Sequence, residues 1–357
     1  MAKIELIKDL SNAFGPSGFE EDVVEVIKKY SKDFNVLTDS MNNVYISLKS
    51  NTGNKPVLML DAHSDEVGFM VQYINSKGLI GFVNLGGWVT TNIPAHKVKI
   101  KNYKGELITG IITSKPPHFM TDAERANDKL NPETLYIDVG ATSRDEVIND
   151  FAIQVGDPII PYVTFEYNDK NNILCGKAFD NRLGCMCVLE TLMALKDEVN
   201  LNIDVIGCIA SQEEVGMRGA SVTSLVAKPD LAIVFEGSPA DDLYVDKYIA
   251  QCSLKMGTQI RHYDQSYISN PRYITYARKL ADEKGIKYQN AVRRRGSTNA
   301  GKIHLANKAT PVLVLGIPSR YIHTHYNYCA VEDIDSTVQL AVEVIKNLND
   351  TSLNQII

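Results

Sequence analysis

Four largely apolar runs, at 57–60, 203–210, 231–235 and 311–317, constrain this chain more than any other feature. They lack the polar–apolar alternation of a strand with one wet face, so each reads as a strand buried on both sides. Sheets of that kind need helices on both faces, and suitable helices are present. Ile4, Leu6, Ile7 and Leu10 share one face of a first helix, which ends before Gly15-Pro16-Ser17-Gly18, and Val23, Val24, Ile27 and Tyr30 mark a second over 20–31. Helical patterns recur over 180–196, 271–284 and 331–348. The fold class is α/β, with the sheet at the centre of an α/β/α sandwich.

Between residues 67 and 166 the texture changes. Short β-branched runs at 69–74, 79–83, 97–100, 106–113 and 135–138 are separated by glycines and prolines, with little helical periodicity. The polar stretch 121–130 reads as a loop. At 357 residues the chain is long enough for two domains. The expected organisation is one domain split in sequence, 1–66 and 167–357, with a small β-rich domain inserted at 67–166.

Composition excludes several classes. A net charge of −6 argues against a nucleic-acid binder. No apolar run approaches the ~20 residues that span a bilayer, and the amino-terminal segment lacks the apolar core of a secretory signal. Six cysteines without a CxxC pair or regular spacing do not make a disulfide framework. The expectation is a cytoplasmic protein with reduced thiols and no membrane or nucleic-acid partner.

Each of the four buried runs is followed by groups that can carry chemistry. Asp61-Ala62-His63-Ser64-Asp65-Glu66 follows the first, and a His and an Asp two residues apart point to one side, so Asp65 can orient His63. Ser211-Gln212-Glu213-Glu214 follows the second: beside a cation, one carboxylate can ligate while its neighbour takes a proton from water. Glu236 closes the third, and Arg320-Tyr321-Ile322-His323-Thr324-His325 follows the fourth, with His323 or His325 as a candidate ligand. A fifth group, Phe179-Asp180-Asn181-Arg182, opens a helix, where Asp180 is either an N-cap or a carboxylate bridging two cations. Ligands in α/β sheets gather at the carboxyl ends of strands. Two imidazoles with several carboxylates suit Zn²⁺, Co²⁺ or Mn²⁺ with a position left open for water.

These motifs carry a specific resemblance. Ala62-His63-Ser64-Asp65-Glu66-Val67-Gly68, Leu85-Gly86-Gly87-Trp88, Ser114-Lys115-Pro116-Pro117-His118, Tyr136-Ile137-Asp138-Val139-Gly140, Phe179-Asp180-Asn181-Arg182, Glu213-Glu214-Val215-Gly216-Met217-Arg218-Gly219 and Ile317-Pro318-Ser319-Arg320-Tyr321-Ile322-His323 occur in this order over essentially the whole chain. The sequence resembles the tetrahedral-aminopeptidase family of co-catalytic metallo-aminopeptidases, which includes glutamyl and deblocking enzymes and relatives labelled endoglucanases. The resemblance implies a zinc-peptidase-like domain with an inserted β domain used in oligomerisation. It implies two divalent ions per subunit, zinc before cobalt or manganese. One ion would sit on His63, Asp180 and Glu236, the other on Asp180, Glu214 and His323, with Asp180 bridging. Asp65 would orient His63, and Glu213 would be the general base. The implied function is removal of N-terminal residues from short peptides by a homo-oligomer, in the family often of twelve subunits.

Three departures stand out. Glu236 replaces the family's usual Asp, Thr324-His325-Tyr326-Asn327 replaces a segment with Pro and Val-Glu, and Asn299 in Gly296-Ser297-Thr298-Asn299-Ala300 replaces an Asp. They keep open an alternative substrate class, N-acyl amino acids or a terminal carboxylate, which would make the protein a deacylase or carboxypeptidase. A non-catalytic binding protein is disfavoured by the complete residue set. A glycosidase needs an acid paired with a nucleophile or base, and no such pair stands apart from the candidate ligands. The Arg293-Arg294-Arg295 run reads as a solvated loop, Cys185 and Cys187 as packing, and His118 and Trp88 as structural.

Overall fold

The computed structural model describes residues 2–126 and 130–357. Its centre is a twelve-stranded mixed sheet. The four apolar runs are its parallel core, in the order Asp204–Ala210, Val57–His63, Leu231–Pro239, Val312–Arg320. Side chains alternate across these strands. Leu58, Leu60, Ile233, Phe235, Leu313 and Leu315 meet the helices Ala2–Asn12, Glu21–Tyr30, Phe179–Leu195, Pro271–Lys284 and Val331–Lys346. Met59, Ala232, Val234, Val312 and Val314 face the thinner layer formed by Arg218–Ala227 and Ala300–Ile303. The sandwich has three layers.

Six strands leave this sheet and close on themselves. Gly68–Ile74, Ile80–Leu85, Tyr136–Asp138, Leu107–Thr113, Lys97–Lys101 and Pro158–Pro161 form a barrel in that order, around its own core of Phe69, Val71, Ile100, Ile112, Ile137 and Ile159. Glu166–Asn168 already belongs to the large sheet. Full closure removes the exposed edges that a small sheet would otherwise present.

Several elements differ from those the sequence pattern predicts. Glu236 does not close its strand: parallel pairing with Val312–Arg320 continues to Pro239, opposite Ser319, so Glu236 lies within the ladder. The stretch read as a loop contains a helix, Asp122–Ala126, and 127–129 lie outside the described residues. The strands Thr258–Asp264 and Tyr288–Val292 are not evident from the sequence because polar side chains hide their pattern; the first carries Gln259, Arg261 and Asp264, all buried. Among the described residues no helix is long and apolar enough to cross a membrane.

Candidate metal centre

The period of two along the strands places the first residues of the site. The face that carries Met59 continues through Asp61 to His63, and the face of Val234 continues to Glu236 on the neighbouring strand. His63 Nε2 lies 3.9 Å from Glu236 Oε1. Asp180 enters from the opposite helical layer. The N-cap position of that helix is Ala178, in left-handed conformation, and Asp180 has extended φ/ψ (−88°, 101°), so its carboxylate is free to face the sheet edge rather than cap the helix. Gly237 makes the approach possible: a Cβ there would come within 2.7 Å of the Asp180 Cα.

Asp180 stands between the two imidazoles. Its Oδ1 is 3.2 Å from His63 Nε2 and its Oδ2 is 3.4 Å from His323 Nε2. His323 Nε2 is also 3.4 Å from Glu214 Oε2. Two groups of donor atoms result, His63–Asp180–Glu236 and Asp180–Glu214–His323, each with all its atoms within 4.8 Å of one another. Glu213 is not in either group, yet its Oε2 lies 3.9 Å from His63 Nε2. His325 turns away. Its ring stacks on His96 at a centroid distance of 4.0 Å, beside Trp88.

Asp65 organises this cluster from beneath. Its Oδ1 lies 3.3 Å from His63 Nδ1 and accepts the Glu213 N–H at 2.8 Å; its Oδ2 accepts the Glu214 N–H at 3.1 Å and the Ser17 hydroxyl at 2.6 Å. Asn181 holds the Glu236 strand, donating to Phe235 O and accepting from Gly237 N. Arg182 is fully buried and donates to Ser64 O, Leu10 O and Gly15 O, tying the 64–66 turn to the amino-terminal segment. The barrel supplies one wall. A Cβ on Gly86 would meet Glu214 Oε2 at 3.2 Å, one on Gly87 would meet His323 Nδ1 at 3.3 Å, and Val89 N–H donates to His323 O.

The electrostatics favour cations. Asp180, Glu213, Glu214 and Glu236 crowd round two imidazoles, and among the described residues no lysine or arginine forms an ion pair with them. Burial pushes Glu213 up to about 7 and holds Glu214 and Glu236 well above the usual carboxylate range. Against burial, the Asp180 and Asp65 carboxylates keep His63 well above its usual value, and Glu214 and Asp180 lift His323 to about 9. Glu214 Oε1 is buried with no hydrogen-bond partner. A buried carboxylate oxygen left open beside imidazole nitrogens is a donor arrangement suited to divalent ions.

A parallel sheet in an α/β/α sandwich, carrying this donor set at its carboxyl edge, is the architecture of a metallopeptidase. The chain belongs to the M42 glutamyl aminopeptidase family, whose model matches residues 42–340. It is 30% identical to the glutamyl aminopeptidase of Lactococcus lactis subsp. cremoris, across 100% of this chain and 99% of that protein. The crystal structure of a TET aminopeptidase from a marine sediment thaumarchaeon superposes with a TM-score of 0.95 at 33% identity, covering 100% of both chains. A Pyrococcus horikoshii TET1 peptidase, which can assemble into a tetrahedron or a large octahedral shell, matches at TM-score 0.85 and 25% identity over 97% of this chain and 100% of that one. The protein is a metal-dependent aminopeptidase of the α/β class.

The sequence pattern does not reveal the supporting residues Ser17, Glu20 and Asn181, which touch the Asp65 carboxylate or the backbone beside the candidate donors. The compact Gly15-Pro16-Ser17-Gly18 turn gives no hint that Ser17 meets Asp65, 48 residues on, or that Glu20 beside it meets Gln212, 192 residues on.

Proposed function

We propose that the protein removes N-terminal residues from short peptides at a centre of two divalent ions, with Glu213 as general base. The observation that carries this is Asp180, which turns one carboxylate oxygen to each imidazole while Glu213 stands free of both donor groups. His63, Asp180 and Glu236 would hold one ion and Asp180, Glu214 and His323 the other. Zinc fits this donor set first, with cobalt or manganese as alternatives. Such a pair, when bound, activates water near neutral pH and polarises the scissile carbonyl. Glu213 takes the proton of the attacking water, and its raised affinity for protons suits it to pass that proton to the leaving amine. Asp65 keeps His63 Nδ1 engaged, which leaves Nε2 free to ligate.

Glu236 and Asn299 bear on the substrate. A neutral residue at 299 would favour N-acylated substrates, since a free α-amino group benefits from nearby acids. Yet Asn299 is fully buried and its Nδ2 donates to the equally buried Asp61 Oδ2 at 2.9 Å, so this side chain is engaged inside the protein and faces no substrate. The change at 299 therefore makes no case for the deacylase.

Homo-oligomeric assembly through the barrel completes the proposal, with a dodecamer as the reference form. The barrel carries exposed apolar residues on its outer side, Leu107, Ile111, Val83 and Phe119 among them, a pattern that marks association surfaces.

The decisive experiment is a panel of free-amino and N-acetylated peptides, assayed after chelation and after adding back Zn²⁺, Co²⁺ or Mn²⁺. Loss and recovery of free-amino turnover is expected. Full activity in a preparation shown to be metal-free by elemental analysis would overturn the centre, and cleavage of N-acylated peptides alone would overturn the substrate class.

A further inference from the structure

Three consecutive backbone N–H groups, those of Gln212, Glu213 and Glu214, point into the protein beneath the proposed base. Gln212 N–H donates to Glu20 Oε1 at 3.1 Å, Glu213 N–H to Asp65 Oδ1 at 2.8 Å, and Glu214 N–H to Asp65 Oδ2 at 3.1 Å. Gln212 has a φ of +52°, and the left-handed turn at this residue lets successive amides converge on one side. On the other side Glu213 O accepts from Gly216 and Met217. The peptide that carries Glu213 is therefore held from both directions.

Two of the groups beneath it come from the amino-terminal segment. Glu20 is fully buried and also accepts the Gly18 N–H at 2.8 Å. Ser17, 5% exposed, donates its hydroxyl to the same Asp65 oxygen that receives the Glu214 N–H. The segment is itself clamped, since Glu66 N–H and Arg182 both donate to Gly15 O. Neither Ser17 nor Glu20 can reach a substrate. Removing Glu20 would strand two donors; removing Ser17 would leave Asp65 Oδ2 held by the Glu214 N–H alone and loosen the carboxylate under the two amides.

We propose that Ser17 and Glu20 are positioning residues of the peptidase reaction, setting the direction of the Glu213 carboxylate through the 212–214 backbone. This rests on the reading of Glu213 as general base. Because Glu20 acts at the base and not at the donor groups, its loss lowers kcat without emptying the centre. The usual scale for such supporting contacts is ~10–100-fold.

The test uses the full chain loaded with metal, a free-amino peptide substrate, and Glu20→Ala, Glu20→Gln, Ser17→Ala, Ser17→Thr and Glu213→Gln, alone and combined. Glu20→Ala and Ser17→Ala should lose about 10-fold or more in kcat with KM and bound metal retained. Glu20→Gln and Ser17→Thr should recover most of it, since an amide oxygen still accepts both N–H groups and threonine keeps the hydroxyl. In the Glu213→Gln background, either alanine should cost less than about 2-fold, because residues that act as a unit do not add. An equal cost in both backgrounds, a loss matched by lost metal, or an unchanged kcat would each overturn the inference. Should Glu20→Ala fail to fold, the Ser17 pair carries the same comparison. Full activity of Glu213→Gln alone would instead remove the general-base reading, a result separate from any of these.

Discussion

At the scale of single residues, adjacent glutamates at 213 and 214 take different parts because their backbone amides bind opposite oxygens of one carboxylate, Asp65. Glu214 turns to His323 and Glu213 toward His63. Glu213→Gln should therefore lower kcat by ~10²–10⁴-fold while both ions stay bound. Glu214→Gln should deplete the ion on the His323 side. Elemental analysis with steady-state kinetics separates the two, and the opposite pattern would exchange their roles. Asp180→Ala should release both ions, whereas His63→Ala should reduce occupancy chiefly on its own side. Glu236 reaches one methylene, about 1.5 Å, beyond an aspartate at the same place. Glu236→Asp should keep metal and raise the ratio of free-amino to N-acetyl turnover; an unchanged ratio would detach this residue from substrate choice.

At the scale of elements, the site depends on a close contact between layers. Gly237 lies on the strand directly beneath Asp180, and a methyl group there collides with backbone, which cannot swing aside as a side chain can. Gly237→Ala should cost roughly 1–3 kcal/mol of stability through overpacking and, more tellingly, weaken metal binding. Melting temperature and metal titration check both; intact affinity would mean that the helix start yields without moving the carboxylate. The parallel strands were legible in the sequence because continuous apolar runs have few other homes, and the candidate ligands other than Asp180 were legible because they follow those runs. Glu236 was legible as a candidate ligand and not as a mid-strand residue: burial continues past it through Gly237 and Ser238, which have no apolar side chain to announce a strand. Thr258–Asp264 stayed hidden for the same reason, since its buried polar groups satisfy one another, Arg261 donating to Ser238 Oγ and pairing with Asp264. The glycines at 86 and 87 could be quoted as a motif, but their part as a wall against Glu214 and His323 needs the barrel in place.

At the scale of the whole molecule, the barrel faces two ways. Its inner loop leans on the centre, and its outer strands carry the exposed apolar residues proposed for assembly. Replacing Leu107 and Ile111 together by glutamate should dissociate the oligomer, as light scattering would show, while each subunit keeps its metal. An unchanged assembly would move the contact elsewhere. The proposed ligands are dispersed along the chain, at 63, 180, 214, 236 and 323, and the barrel lies between the first and the second. A ribosome that has made the barrel has exposed one imidazole and no complete ion site. The set closes only when His323 has emerged, after nearly the entire chain has been synthesised and its long-range strand pairs can form. A chain that ends just before residue 323 therefore holds the donors of one proposed ion site and lacks those of the second, so the pair can be completed only near the end of synthesis.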